Sequence, residues 1–151
     1  MAIATNTFLQ DTVLFIRDTL RNNLTDPLST NRPSGEQYVM TSYPRRAVQY
    51  PIITVKTINM ATKKLGMSSE MSQVNMDVEV RAWARNMKEK DDMTQDILNH
   101  LRGIRLDAVN GSADNKLFNF DLSSCVNVIE DGENGIKSSV MTFKYYAIIG
   151  E

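Results

Sequence analysis

The sequence QVNMDVEVRAWAR, residues 73–85, alternates between apolar and polar side chains over its whole length. This two-residue period predicts a β-strand with one face on a core and the other face wet or in contact with a partner. The apolar face consists of Val74, Met76, Val78, Val80 and Ala82. The opposite face consists of Asn75, Asp77, Glu79, Arg81 and Trp83. This segment is the strongest strand signal in the chain, and the other elements are placed around it.

A helix is predicted directly after this strand. Asn86 can cap its first turn, and Glu89, three residues later, completes the pattern of a capping box. Gly103 is predicted to end the helix, because glycine is favoured just after a helix C-terminus. The apolar stripe at spacings of three and four residues consists of Met93, Ile97, Leu98 and Leu101.

A second amphipathic helix is predicted over residues 7–24. Thr7 can serve as its N-cap, with Gln10 in the capping-box position. Pro27 prevents the helix from continuing far beyond Thr25, because proline lacks the N–H that a helix interior needs. The apolar stripe consists of Leu9, Val13, Ile16, Leu20 and Leu24.

The remaining segments are predicted to be strands and loops. Composition favours strands over residues 38–43, 51–58, 117–123, 125–130 and 136–149. Residues 25–37 are rich in turn formers and predict a loop, and residues 131–135, with two glycines, predict a hairpin turn. Residues 59–72 do not alternate, and we interpret them as a long excursion between two strands.

Together these elements predict one α+β domain spanning residues 1–151. Its sheet is expected to be mixed but largely antiparallel and flanked by two helices. Two or three strands are expected after the second helix, and the predicted order is α-β-β-β-α-β-β. A chain of 151 residues has the usual size of a single domain. Its 42% hydrophobic and 23% charged residues are typical of a globular protein.

The charge and hydropathy patterns argue against two classes of partner. The formal net charge is −1, and the densest basic clusters are only Arg45–Arg46 and Lys63–Lys64. A dedicated nucleic-acid binder usually carries a longer basic stripe. No apolar run approaches the roughly 20 residues of a membrane span, and no targeting segment is visible. We therefore expect a protein that folds in a cytoplasm, with no membrane partner.

Few residues point to catalysis. His100 is the only histidine and Cys125 the only cysteine, so a Cys–His pair could form only through the fold. We interpret Cys125, in an apolar run, as a small buried hydrophobe. The carboxylates Glu130, Asp131 and Glu133 lack the ligand alternation of a calcium loop and are interpreted as a solvated turn. We expect no enzymatic activity, no catalytic residue, no metal ion and no cofactor.

Trp83 and the nine methionines point to protein contacts. Trp83 has two interpretations: a core residue covered by the second helix or a loop, or an interface anchor of the kind in which tryptophan is enriched. Methionines within residues 59–72 suit an adaptable contact surface. The charges of Glu79 and Arg81 would set register and partner choice. The predicted interface residues are Met60, Lys63, Lys64, Met67, Met71, Glu79, Arg81 and Trp83.

Several stretches share a family pattern. They are the opening helix with its proline-containing continuation, YPIITV at residues 50–55, VEVRAWARN at 78–86 running into KEKD at 88–91, and ILNHLR at 97–102. In this order they resemble the tail terminator (tail-completion or head–tail joining) proteins of long-tailed bacteriophages. In that family YPIITV looks like the first long strand, and VEVRAWARN looks like the junction between a strand and a helix.

The resemblance implies a virion structural protein of the tail or neck, assembled in the host cytoplasm. It would form a hexameric ring that caps the tail tube and joins it to the head connector. Its partners would be copies of itself, the tail tube protein and the head-completion or connector protein, with DNA passing through without sequence-specific binding. Residues 59–72 would correspond to a hairpin loop that contacts the ring or tube. The alternative is a small host binding or enzymatic α+β domain with a ligand pocket on the sheet face.

Overall fold

The described part of the chain contains two helices and five strands in the predicted order. The structure is a computed structural model that describes residues 8–32, 37–42, 49–66, 72–109, 118–128 and 136–149. The elements are α1 (Phe8–Asn23), β1 (Val39–Met40), β2 (Ile52–Lys64), β3 (Ser72–Ala84), α2 (Met87–Val109), β4 (Phe118–Val128) and β5 (Lys137–Ile149). The predicted α+β class is confirmed.

All five strands belong to one sheet with the spatial order β1-β2-β3-β5-β4. β1 runs parallel to β2 and pairs with it through Val39 with Ile53 and Met40 with Thr54. The other three pairings are antiparallel. The sheet is therefore mixed and largely antiparallel, as predicted, and β3 lies in its centre.

Both helices pack on one face of the sheet, which we call the inner face. The alternating residues of β3 behave as their period predicts, because the apolar set lies on the inner face and is buried. Phe120 of β4 closes this core by stacking on Phe143, with 5.2 Å between ring centroids. The helices contribute Ile16 and Leu20 from α1 and Met93, Ile97 and Leu101 from α2. The opposite, outer face carries the polar residues of β3.

β2 continues well beyond its predicted end. The expectation of an irregular excursion over residues 59–72 is wrong for residues 59–64 and 72, which are paired strand. The register shifts between Thr57 and Asn59, which leaves Ile58 in a bulge. A bulge inserts one residue and reverses which side chains face the core, so the two-residue pattern is broken at that point. Residues 67–71 lie outside the described residues.

The helix ends agree with prediction at one cap and disagree at another. The backbone N–H of Glu89 donates to Asn86 Oδ1 at 2.9 Å, which confirms Asn86 as the N-cap of α2. Gly103 does not end α2, which continues to Val109. A glycine inside a helix costs only about 1 kcal/mol relative to alanine, so packing of α2 against the sheet overrides it. Thr7 lies outside the described residues, and Leu9, expected in the apolar stripe, is exposed.

Two predicted strands have different lengths in the structure. The strand expected over residues 38–43 is reduced to β1, Val39–Met40. The separate strands expected over residues 117–123 and 125–130 are a single strand, β4, with register irregularities between Phe118 and Asp121 and between Leu122 and Ser124. The predicted turn at residues 131–135 lies outside the described residues.

Arg32 holds the loop that follows α1 against the start of β2. Its side chain is only 4% exposed, and its Nε lies 2.7 Å from Asp26 Oδ2. It also donates to the carbonyl oxygens of Gln49 and Pro51, and its guanidinium lies 5.5 Å from the ring centroid of Tyr38. The hydrogen bonds from Arg32 to the Asp26 carboxylate hold the pKa of that carboxyl below its ordinary value.

Candidate protein interface

Glu79 lies on the face of β3 that the sequence predicts to be wet or in contact with a partner, and the structure shows it buried in its own chain. Glu79 is 8% exposed, and its carboxylate lies 3.1 Å from the ammonium group of Lys56. The two residues face each other directly across the β2–β3 pairing. A cross-strand partner therefore holds this carboxylate within the same chain, and an interface role for Glu79 stays a prediction.

Trp83 lies half-buried on the outer face, beside Arg81. Its indole Nε1 donates to Thr54 Oγ1 at 3.2 Å, and the guanidinium carbon of Arg81 lies 4.2 Å from its ring centroid. The interpretation of Trp83 as covered by the second helix is wrong, because α2 packs on the inner face. The cation–π contact covers one side of the indole ring. An interface role for Trp83 and Arg81 stays a prediction.

The second half of β2 is an exposed edge of the sheet. β1 pairs with β2 only at Ile53 and Thr54, and no other strand of the described chain pairs along that side of β2. We call residues 55–64 the β2 edge. Ile58 is 52% exposed and Met60 44% exposed on this edge. Such a strand presents unpaired backbone groups that can pair with another chain.

The predicted interface residues divide between these two places. Met60, Lys63 and Lys64 are exposed on the β2 edge. Glu79, Arg81 and Trp83 lie on the outer face of β3, engaged with side chains of their own chain. Met67 and Met71 lie outside the described residues. The structure therefore does not bring the predicted set into one continuous patch.

The opposite side of the sheet ends in a second exposed edge, which sequence reasoning missed. Among the described strands β4 pairs only with β5, and we call Phe118–Val128 the β4 edge. Leu122 and Val126 are 38% and 56% exposed there. Cys125 is also exposed. Its interpretation as buried is wrong, because an apolar run does not reveal whether a strand is central or terminal in its sheet.

Exposed apolar side chains concentrate at these two edges. Seven large hydrophobic residues are exposed in the described part of the chain, and five of them lie on or directly after the edges. They are Ile58, Met60 and Leu65 at β2, and Leu122 and Val126 at β4. The other two, Leu9 and Met87, lie in the first turns of the two helices. Exposed apolar residues gathered in this way mark contact surfaces.

Buried polar contacts fix α2 beside the β4 edge. Lys90, whose side chain is 2% exposed, donates from Nζ to Asn127 Oδ1 at 3.0 Å. Thr94 Oγ1 and Ser139 Oγ lie 2.6 Å apart in a second hydrogen bond between α2 and the sheet. A lysine at a polar position of a helix is usually exposed. The burial of Lys90 and its bond to Asn127 could therefore not be predicted from the sequence.

The outer face also carries a shallow hollow of about 380 Å³. Asp77 and Lys144 face each other across the β3–β5 pairing within it. Tyr145 borders the hollow, but its phenol lies on the inner face in the core, where burial raises its pKa. The lining residues are Asn59, Ala61, Asn75, Met76, Asp77, Lys144, Tyr145 and Tyr146. This is the surface that corresponds to the ligand pocket of the alternative interpretation.

The described residues offer few features of a catalytic or metal site. No group of three or more His, Cys, Asp or Glu side chains could hold a metal ion in that part of the chain. His100 lies half-buried in α2, and Cys125 lies exposed on β4. No helix within the described segments is long and apolar enough to cross a membrane.

Comparison with models of protein families finds none that matches this chain. Comparison with curated proteins likewise finds no match.

Proposed function

We propose that this protein is a virion structural protein that forms a closed ring. The family resemblance implies that the ring is a hexamer. The ring caps the tail tube and joins it to the head connector or neck. The observation that carries the proposal is the presence of two different exposed sheet edges, each with apolar side chains. A ring uses heterologous contacts, so each subunit needs two distinct and complementary surfaces.

The further parts of the proposal follow from the family resemblance. The partners are the tail tube protein on one side of the ring and a head-completion or connector protein on the other. DNA passes through the ring without sequence-specific binding, which suits a net charge of −1. The protein is assembled in the host cytoplasm, is retained in the tail or neck of the virion, and works by surface complementarity without chemistry.

Solution mass and electron microscopy test this function. The purified chain should assemble into particles of one mass, a fixed multiple of 17.1 kDa, at high concentration or with tail tubes. Microscopy should show rings, including rings at the ends of tubes. A chain that stays monomeric at every concentration, with and without tubes, would overturn the proposal.

A matched pair of double variants tests the edge contact. Ile58→Gln with Met60→Gln should raise the concentration needed for assembly at least tenfold, since a buried hot-spot residue contributes roughly 2 kcal/mol. Leu9→Gln with Met87→Gln alters side chains of similar exposure away from the edges and should assemble like the wild type. Equal assembly of both variants would contradict a role for the β2 edge.

The hollow on the outer face favours one alternative, a small host binding or enzymatic domain. Its walls combine the opposite charges of Asp77 and Lys144 with Tyr146 of the outer face. A monomeric chain that binds a small molecule, and loses that binding on Asp77→Asn, would support this alternative. Binding unaffected by the substitution, or no binding in a metabolite screen, would count against it.

A further inference from the structure

We propose that the β4 edge of one copy pairs directly with the β2 edge of the next copy, so that one sheet continues around the ring. This inference rests on the proposed ring function and specifies its contact. On the side away from β3, β2 offers ten residues, 55–64, that pair with no strand of the described chain. At about 3.3 Å per residue they extend roughly 33 Å. β4 offers a comparable length, with 11 residues.

The strand directions suit this pairing. β2 is antiparallel to β3, β3 to β5, and β5 to β4. β2 and β5 therefore run one way, and β3 and β4 run the other way. Two copies placed side by side in the same orientation bring β4 of the first against β2 of the second in opposite directions. The new ladder is antiparallel, which is the slightly more stable arrangement.

The charges of the two edges select this pairing over its alternatives. Residues 51–69 contain Lys56, Lys63 and Lys64 and no Asp or Glu. The β4 edge, residues 118–128, contains the carboxylate of Asp121 and no Lys or Arg. A β2–β2 or β4–β4 contact between two copies would place like charges together, which is unfavourable across a strand pair. A β4–β2 contact places opposite charges together. The two surfaces that meet in it are different, as the heterologous contact of a ring requires.

The exposed Cys125 gives this contact a direct test. Cys125 pairs with Met141 of β5, Met141 with Val80 of β3, and Val80 with Val55 of β2, so Cys125 lies on the inner face. Beyond the bulge, the inner-face positions of the β2 edge are Met60, Thr62 and Lys64. Thr57 is the inner-face position just before the bulge. The neighbouring Ala61 points to the outer face, opposite Asn75. Cys125 is the only cysteine of the chain.

The experiment places a second cysteine on β2 of the full chain under assembly conditions. Thr57→Cys, Met60→Cys and Thr62→Cys are oxidised separately and run on a non-reducing gel. At least one should give a ladder of covalent dimers, trimers and larger species, because each copy links to two neighbours. Ala61→Cys should give far less product, and adding Cys125→Ser should abolish the ladder.

Other outcomes would overturn the pairing. Disulfide dimers of the wild-type chain through Cys125 alone would show a β4–β4 contact. Dimers that persist with Cys125→Ser would show a β2–β2 contact. Rings seen by microscopy without any ladder would place the contact elsewhere and leave the proposed function intact. Ladders from a chain that never caps a tail tube would support the pairing and count against the proposed function.

Discussion

The guanidinium of Arg81 lies 4.2 Å over the indole ring of Trp83 on the outer face of the sheet. The same indole donates its N–H to Thr54 on the neighbouring strand. Glu79, two residues before Arg81, forms an ion pair with Lys56, also on the neighbouring strand. The polar face of β3 is thus largely bound by side chains of its own chain, which leaves the sheet edges as the more accessible contact surfaces.

Trp83 should therefore contribute to folding stability. Trp83→Ala should lower the free energy of unfolding by roughly 2 kcal/mol, less than the loss typical of a fully buried aromatic residue. Trp83→Phe keeps most of the apolar area and should lose only about 1 kcal/mol with the hydrogen bond to Thr54. Urea unfolding followed by circular dichroism measures both. A Trp83→Ala variant as stable as the wild type would mean that these contacts add nothing to the fold.

The two lysines near the end of β2 should control assembly through their charge. Lys63→Glu with Lys64→Glu replaces the positive charges that would meet Asp121 of the neighbouring β4 edge and should weaken assembly at least tenfold at low salt. The loss should shrink as salt is added, because exposed charges are screened over about 8 Å at physiological ionic strength. Light scattering across a concentration series measures the effect.

A control with the same change in net charge separates local from global effects. Arg85→Glu with Lys88→Glu reverses two exposed charges at the junction of β3 and α2, outside both edges. This variant should assemble normally. If both double variants assemble equally poorly, total charge governs association and the complementary-edge argument fails.

The regular elements could be predicted from sequence because the spacing of their apolar residues matches the spacing of the residues that are buried. The five-residue apolar set of β3 and the stripe of α2 both pack in the core. β2 could be predicted only as far as Ile58, because the bulge at that residue reverses the alternation beyond it. Past the bulge both faces of β2 are exposed, so polar and apolar side chains no longer sort by face.

The candidate interface was harder to predict than the fold. Exposure along β4 depends on its terminal place in the sheet, which is set by long-range pairing rather than by its own composition. Glu79 sits at a polar position of the strand period, yet its burial depends on Lys56, a partner 23 positions earlier in the chain. Pairings of this kind are decided by the whole fold.

Lys90 should be more important for stability than its charge suggests. Lys90→Ala removes a side chain that is only 2% exposed, together with its hydrogen bond to Asn127, and should cost roughly 1–3 kcal/mol. Lys90→Met preserves the volume and should cost less than Lys90→Ala. Thermal and urea unfolding of both variants provide the comparison, with exposed Lys88→Ala as the control expected to change little. An equal loss for alanine and methionine would assign the effect to the hydrogen bond rather than to packing.

The Asp26–Arg32 ion pair should make part of the stability depend on pH. Hydrogen bonds from Arg32 lower the pKa of Asp26 below its ordinary value of 3.8 in the folded chain. Since the folded pKa is the lower one, the contribution is fully present above about pH 4 and is lost as the pH falls through the folded value. Asp26→Asn should therefore be less stable than the wild type at pH 7, and the difference should shrink on acidification. Urea unfolding at pH 7, 5, 4 and 3 measures it, with Asp92→Asn, an exposed carboxylate of α2, as the control. A difference between Asp26→Asn and the wild type that stays constant down to pH 3 would show that the ionised pair does not hold this loop against β2.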